Sequence, residues 1–273
     1  MGIREEVSGK DFLRSAETAA VAELAYRDGD GRIGVRSVTP VVFDGSPAFT
    51  LTYAEAELAE HLERDPEVCL SFTDSRLARV GWRPLGVSGR LSVLPDIEGE
   101  LFCEELIHQE LVKFPPARKL SNSLILRREN WWYVPRFILR LEVSDEAVPL
   151  IRRQPQKDHA VLFWREAGGI LCDAVAADYR EEPASVSVSS ITGRVLPEAG
   201  EAVLYACDFS VPDLEHRVSF RASGRLRGGR LAVEGREGER NLGNPPGFFT
   251  RWREFRSLEQ RCRAGIEARE RPL

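Results

Sequence analysis

The stretches Val87–Leu91, "VSGRL", and Ala222–Leu226, "ASGRL", spell almost the same five residues 135 positions apart. Five letters can coincide by chance, so the flanking sequence decides what the repetition means. The segments that begin at Tyr26 and at Trp164 both start with an aromatic residue, an arginine and an acid. Each then continues through a glycine-rich turn, a strand-like run, a second turn and another alternating run. This shared order predicts an internal duplication of one β-rich unit.

The correspondence continues downstream. "EVCLSFTDSRL" from Glu67 matches "AVLYACDFSVPDL" from Ala202, with Val68 and Val203 again 135 residues apart. The alternative is that any two sequences that form β-meanders look alike. We expect a mainly β (α+β) fold of two tandem barrels with flanking helices. The predicted domains are a first repeat over residues 1–153 and a second, diverged repeat over residues 154–273.

Local patterns support this β-rich interpretation. "DGDG" and "DGSP" are turn sequences, because glycine adopts positive φ and aspartate bonds its own backbone. Pro40 cannot donate to a strand ladder, so it indicates a bulge or an edge. Phe137–Val143 alternates between apolar and charged residues and predicts a half-buried strand. Tyr53–Asp65 and Ile97–Phe114 are rich in helix formers and predict helices.

Two aromatic segments are harder to interpret. Trp131–Tyr133 could cover a ligand or seal the interface between the repeats. The C-terminal segment predicts a helix that packs on a barrel through one apolar stripe at three- and four-residue steps. The stripe consists of Phe249, Trp252, Phe255, Cys262 and Ile266.

Composition excludes several classes of function. A net charge of −5 argues against nucleic acid as the main partner. The chain has no apolar run of membrane-spanning length and no apolar signal core near its first residue, so we expect a cytoplasmic protein outside the membrane. Five widely spaced cysteines predict reduced thiols rather than a disulfide framework or a zinc site. The four histidines show no metal spacing, and we predict no metal site.

The first repeat resembles the FMN-binding split β-barrel family that includes pyridoxamine 5′-phosphate oxidase and many bacterial relatives. The resemblance spans about Val21 to Val93 and rests on the order of strands, "DG" turns, short helix and "DP" turn before "GWRPLGVSGRL". The family is typically a homodimer with a flavin in each of two clefts between barrels. The resemblance therefore implies that two tandem split barrels form a pseudo-dimer within one chain; further oligomerisation stays open.

In the first repeat, the resemblance implies that Arg36 on the second strand contacts the FMN phosphate. Thr50 and Thr52 fall at the family's hydroxyl positions, and Trp82 and Arg83 fall where residues approach the flavin. The expected Ser-x-Lys at the start of the short helix is missing. Glu55 and Glu57 stand nearby instead, and carboxylates repel a phosphate.

The second repeat departs in the opposite sense. Asp173 stands near the position of Arg36, which is unfavourable for an anion. The expected hydroxyl and cation come from the segment after the next strand, where Thr192-x-Arg194 replaces Ser-x-Lys. The candidate cofactor-binding residues of this repeat are Ser189, Ser190, Thr192 and Arg194. Because each repeat keeps part of an anion site, one functional cleft is the working hypothesis.

These observations lead to a flavin-binding protein that acts on a small-molecule substrate. FMN is the expected cofactor, with F420 or no cofactor as alternatives, and the expected activity is a flavin-dependent oxidoreductase. No side chain is predicted as a catalytic acid or base. The alternative is a non-catalytic split-barrel module that binds another ligand or haem and has lost its flavin. A haem would need one of the histidines as an axial ligand.

Overall fold

The structure is a computed structural model that describes residues 9–114, 131–143, 147–154, 157–166, 169–179 and 184–270. The strands of the first half are β1 (Ala22–Arg27), β2 (Ile33–Val38), β3 (Pro40–Phe43), β4 (Ser46–Thr52), β5 (Glu67–Phe72), β6 (Leu85–Asp96), β7 (Arg136–Val143) and β8 (Val148–Pro149). Those of the second half are β9 (His159–Glu166), β10 (Gly169–Asp178), β11 (Ser185–Ser190), β12 (Ala199–Phe209), β13 (Arg217–Arg227) and β14 (Arg230–Gly238).

Helices flank these strands. They are α1 (Gly9–Thr18), α2 (Ala56–Arg64), α3 (Ile107–Lys113) and α4 (Phe248–Glu270). Single 3₁₀ turns cover Tyr53–Glu55 and Trp131–Tyr133, and a π-helical turn at Phe102–Leu106 precedes α3. Among the described residues, no helix is both long and apolar enough to cross a membrane.

The two halves have the same strand connectivity. The first sheet runs β2-β1-β5-β6-β7-β4-β3, with β8 added to β6, and the second closes as β10-β11-β14-β13-β12-β9. Only Thr39 separates β2 from β3, so these two strands together take the place of β10. The chain therefore forms two tandem split β-barrels, and Pro40 begins a strand at one end of the first sheet, in line with its predicted edge position.

Strand register shows which residues are equivalent. Tyr26 pairs with Val68, which pairs with Gly89. Trp164 pairs with Ala202, which pairs with Gly224. The predicted match of Tyr26 with Trp164 is confirmed by this register. The match of Val68 with Val203 is wrong by one residue, since Ala202 holds the equivalent place.

The repeated glycine has a steric cause in both barrels. A Cβ placed on Gly89 would lie 2.3 Å from the carbonyl oxygen of Glu142 on β7. A Cβ placed on Gly224 would lie 1.9 Å from the carbonyl oxygen of Ala232 on β14. The next strand thus approaches too closely for any side chain, which is why both pentapeptides keep glycine at this position.

The C-terminal helix packs on the first barrel. Cys262 and Ile266 are buried in that barrel's core, and a Cβ on Gly265 would lie 2.1 Å from the carbonyl oxygen of Tyr53. The predicted stripe is wrong for the first turns of the helix, because Phe249 is 77% exposed and Trp252 is 52% exposed. The helix packs on the first barrel from Phe255 onwards.

The aromatic segment before β7 also belongs to the first barrel. Trp132 is fully buried, and its ring meets that of Phe255 on α4 edge to face at 5.4 Å. Tyr133 covers the guanidinium of Arg136 at 4.1 Å. The segment therefore fills the space beneath α4, and its predicted role in covering a ligand or sealing the repeat interface stays a prediction.

Candidate functional site: the clefts between the barrels

The barrels contact each other through equivalent strands. β2 lies on β12 and β13, and its equivalent β10 lies on β5 and β6. We call the first contact cleft I and the second cleft II. One apolar cluster runs between them; it contains Ala20, Val21, Ala25, Ile33, Val35, Cys69, Leu150, Val161, Phe163, Ile170, Cys172, Val203, Tyr205, Cys207, Phe209 and Leu214.

Cleft I contains a cavity of about 280 Å³. This volume is close to the lower end of the ~300–1,000 Å³ that is usual for small-molecule sites. Both barrels line it, through Val21, Val35, Arg36, Ser37, Tyr205, Cys207, Asp208, Phe209, Arg217, Val218 and Ser219. An apolar wall with a few polar groups at its edge is the usual composition of a site for an aromatic ligand.

A hydrogen bond crosses cleft I from one barrel to the other. The hydroxyl oxygens of Ser37 on β2 and Tyr205 on β12 lie 2.8 Å apart. Burial raises the pKa of Tyr205 above its ordinary value, so the phenol stays protonated at neutral pH. This pair therefore links the two barrel walls across cleft I.

Of the residues predicted to hold the phosphate in the first repeat, Arg36 and Thr50 have partners within the protein, whereas the buried Thr52 hydroxyl has no hydrogen-bond partner among the described residues. Arg36 lines the cavity, but its guanidinium forms an ion pair with Glu55. The Thr50 hydroxyl points towards Glu110, at 3.4 Å, and Thr52 lies beside the Cys262 thiol of α4. The structure therefore brings Arg36 to cleft I while Thr50 and Thr52 face the flanking helices.

Trp82 and Arg83 also face away from the cavity. Trp82 packs against the first-barrel core, and Arg83 forms an ion pair with Asp11 of α1 at 3.7 Å. Leu85 of β6 pairs with Phe72, and Phe220 of β13 pairs with Ala206, so Leu85 and Phe220 are equivalent. Trp82 and Arg83 lie three and two residues before Leu85. Their equivalents are Arg217 and Val218, which line cleft I.

The predicted anion-binding residues of the second repeat surround a carboxylate. Leu162 pairs with Asp173 as Leu24 pairs with Arg36, so these two charged residues are equivalent. Asp173 is fully buried, and Thr192 donates a hydrogen bond to it at 2.8 Å. Burial raises the pKa of this carboxyl, and hydrogen bonds from the neighbouring hydroxyls oppose the shift.

The other members of this group are drawn into the same cluster. Ser190 Oγ lies 3.0 Å from the Thr192 hydroxyl and accepts a hydrogen bond from the backbone N–H of Arg194 at 3.0 Å. The Arg194 guanidinium donates to the carbonyl oxygen of Cys172 at 3.2 Å. Ser189 is exposed on β11 and takes no part. The Asp173 carboxylate thus occupies the place where a phosphate was expected.

Cleft II is filled by side chains. Gly86 lies so close to β10 that a Cβ on it would be 2.4 Å from Cys172 Sγ and 3.4 Å from Leu150 Cδ1. Its equivalent in cleft I is Arg221, since Gly86 pairs with Ser71 as Arg221 pairs with Tyr205. The missing side chain lets β10 pack directly on β6, and Leu150 of the connecting segment joins the buried cluster.

A buried ionic network that the sequence did not reveal holds the barrels together, and its second-barrel member Cys207 also lines cleft I. Arg153, in the connecting segment, lies 3.2 Å from Asp74 and 3.8 Å from Glu23 of the first barrel. It also donates to the carbonyl oxygen of Cys207 in the second barrel at 2.9 Å. Ser71 and Thr73 donate to the Glu23 carboxylate at 2.8 Å each. Arg153 therefore joins both barrels to their linker.

Comparison with known proteins adds weak structural likenesses. No protein-family model and no curated protein matches the chain. The haem storage protein HutZ from Vibrio cholerae is 18% identical over 53% of this chain and 96% of its own, with a TM-score of 0.36. An F420 reductase is 20% identical over 51% and 96%, with a TM-score of 0.34. A pyridoxinephosphate oxidase family protein from Clostridium acetobutylicum is 13% identical over 49% and 80%, with a TM-score of 0.31.

Proposed function

We propose that the chain binds one flavin-type cofactor, FMN or the deazaflavin F420, in cleft I. In this proposal the two barrels stand to each other as the two subunits of a split-barrel dimer. The observation that supports it is the cavity itself, whose walls come from β2 of one barrel and from β12 and β13 of the other. When bound, a flavin supplies hydride or electron transfer, while the protein contributes position and electrostatics.

The lining of cleft I fits a flavin ring. Val35, Phe209 and Val218 provide apolar contact, and Ser37 and Tyr205 provide hydroxyl groups at the edge. The expected phosphate position fits less well, because the Glu55 carboxylate already pairs with Arg36. A phosphate would have to displace Glu55 or bind another cation of the cleft.

Cleft II supports the expectation of one functional site per chain. The buried Asp173 and its hydroxyl partners place a negative charge where the cofactor's own negative charge would lie. Two negative charges placed close together in a buried environment repel each other strongly. We therefore propose a stoichiometry of one ligand per chain.

A non-catalytic ligand-binding module is the second candidate. It is favoured by the fact that both predicted phosphate positions carry internal pairs, Arg36 with Glu55 and Thr192 with Asp173. Haem is a poorer candidate for cleft I, since the described residues that line its cavity include no histidine. A module of this kind would take a smaller anionic ligand in the same cavity.

Spectroscopy of the purified protein tests the proposal. A bound flavin gives absorbance bands near ~450 and ~370 nm, and added FMN should lose fluorescence at one equivalent per chain. Val218→Trp, which fills cleft I, should abolish this quenching. Val195→Trp, at an 89% exposed position, is the matched control and should not. A colourless protein that quenches neither FMN nor F420 would overturn the flavin and leave the non-catalytic module.

A further inference from the structure

We infer that Arg217 is an oxyanion-recognition residue, so that the ligand of cleft I carries a carboxylate or phosphate group against the wall of the second barrel. This inference uses the cleft of the proposed function but does not require that the ligand be a flavin. Arg217 begins β13 and lines the cavity opposite β2. The sequence comparison of the two repeats does not point to Arg217, because the equivalent residue of the first repeat is an uncharged one, Trp82.

Arg217 is a cation without a counter-ion. Across the described part of the chain it forms no ion pair, and its Nε and Nη2 atoms are buried without a hydrogen-bond partner. Burial is the main cause that lowers the pKa of this guanidinium. Buried charged donors are almost always satisfied in folded proteins, because leaving them unpaired is costly. A ligand that supplies two acceptor oxygens would remove this cost.

The unpaired atoms define the shape of the ligand group. Nε and Nη2 form one edge of the guanidinium and can hold two oxygens of a carboxylate or phosphate side by side. Arg27 of the same protein uses this edge on Asp65, with Nη2 2.7 Å from Oδ1 and Nε bonded to Oδ2. The ring of Phe114, 4.5 Å from the Arg217 guanidinium carbon, covers one face and fixes its plane. The edge is therefore pre-oriented for a bidentate oxyanion.

The neighbouring charges of cleft I are already matched. Arg36 pairs with Glu55, and Asp208 pairs with Arg76. Glu110, the nearby carboxylate of α3, accepts from the Tyr133 hydroxyl at 2.7 Å and lies 3.7 Å from Arg136. Among the described groups, Arg217 is thus the positive charge left over at the cavity. An oxyanion at its free edge would neutralise the site.

Two sources of this group are distinguishable: the phosphate of a cofactor and the carboxylate of an organic acid. Isothermal titration calorimetry of the purified chain with inorganic phosphate and with benzoate, at constant ionic strength, measures the affinity for each anion. We expect one of them to bind saturably. Arg217→Met should weaken that binding roughly 10- to 100-fold, because two charge-assisted hydrogen bonds are lost. Arg217→Lys should bind with intermediate affinity, since it keeps the charge without the two-atom edge.

Controls keep the outcome interpretable. Arg225→Met, at an exposed position on the same strand, should bind as the wild type does. The thermal midpoint of ligand-free Arg217→Met should match or exceed that of the wild type, because two buried donor atoms without hydrogen-bond partners have been removed. If neither anion binds, or if Arg217→Met binds with unchanged affinity, the inference is overturned.

The failure of this inference and the failure of the proposed function look different. A yellow protein whose Arg217→Met variant holds FMN as tightly as the wild type refutes the role of Arg217 and keeps the flavin. A colourless protein that binds phosphate or benzoate through Arg217 refutes the flavin and keeps the oxyanion site.

Discussion

Clefts I and II are built from equivalent strands in the same order, yet cleft I contains a cavity, whereas in cleft II β10 packs directly on β6 at Gly86. At one equivalent position cleft I has Arg36 and cleft II has Asp173; at another cleft I has Arg221 and cleft II has Gly86. The difference shows that two barrels with the same strand order can form unequal contacts. Side-chain volume and charge at these two positions distinguish cleft II from cleft I.

The connecting segment adds to this asymmetry. It leaves the first barrel through β8, passes Leu150 into the buried cluster and ends with Arg153 beside Cys207. A chain has only one such linker, so its residues contact the two equivalent clefts differently. Leu150 packs against Gly86 in cleft II, whereas Arg153 donates to Cys207, which lines the cavity of cleft I.

The largest effect should follow from breaking the buried network around Arg153. Arg153→Ala leaves the buried Glu23 and Asp74 without their shared cation and removes a contact to Cys207. Removing one partner of a buried ion pair typically costs about 3–5 kcal/mol. We expect a loss of that order in the free energy of unfolding, measured by urea denaturation.

Arg152→Ala is the matched control, because Arg152 is exposed and adjacent in sequence. It should change the free energy of unfolding by less than about 0.5 kcal/mol. Equal stability of Arg153→Ala and Arg152→Ala would show that the Arg153 network does not stabilise the fold.

A smaller effect should follow from adding one methyl group at Gly86. The new Cβ would meet Cys172 Sγ at 2.4 Å, so β10 must shift away from β6 or the thiol must rotate. Overpacking of this kind costs about 1–3 kcal/mol. We expect Gly86→Ala to lose stability by that amount, measured by thermal unfolding.

Cys172→Ala in the Gly86→Ala background gives the decisive comparison, since it removes the obstructing sulfur. The cost of the glycine substitution should then fall, and a double-mutant cycle measures the coupling. If the two substitutions are additive, the close packing of β10 on β6 is not what closes cleft II.

Sequence patterns predict the fold better than the site, because they reflect conformational and burial requirements of residues that are neighbours in sequence. The glycines at 89 and 224 are dictated by backbone approach, and the alternation over Phe137–Val143 by one buried face. Both are visible in a few neighbouring letters. The exposed Phe249 and Trp252 were misjudged, because periodicity predicts an apolar stripe but not how far the opposing surface extends.

The site depends on contacts between residues far apart in sequence. Arg36 was placed correctly on its strand, and Glu55 was recognised as unfavourable for a phosphate; what the sequence did not show was that the two form an ion pair. Arg217 and Arg153 went unnoticed because neither lies in a motif. Their significance comes from burial and from missing or long-range partners, and these depend on how the second barrel is placed against the first.

The smallest effect concerns the charge of Asp173, the feature that most separates cleft II from cleft I. Burial raises the pKa of this carboxyl above its unfolded value, so the folded state holds the proton more tightly. The protonated carboxyl therefore adds to the free energy of unfolding, and this contribution is complete below the unfolded pKa of about 3.9. It is lost as the pH rises through the higher pKa of the folded state. At neutral pH the buried carboxylate therefore destabilises the fold, and its Oδ2 has no hydrogen-bond partner among the described residues.

Asp173→Asn removes the charge while its amide oxygen can still accept the hydrogen bond from Thr192. We expect this variant to be more stable than the wild type at pH 7, with the difference shrinking as the pH falls towards 4. Urea denaturation at pH 4, 5.5 and 7 measures it, and Asp178→Asn, at an exposed position on the same strand, is the control. A variant that is less stable than the wild type at pH 7 would mean that the hydroxyls and Arg194 stabilise the carboxylate. Cleft II would then be a satisfied anion site whose anion the protein itself provides.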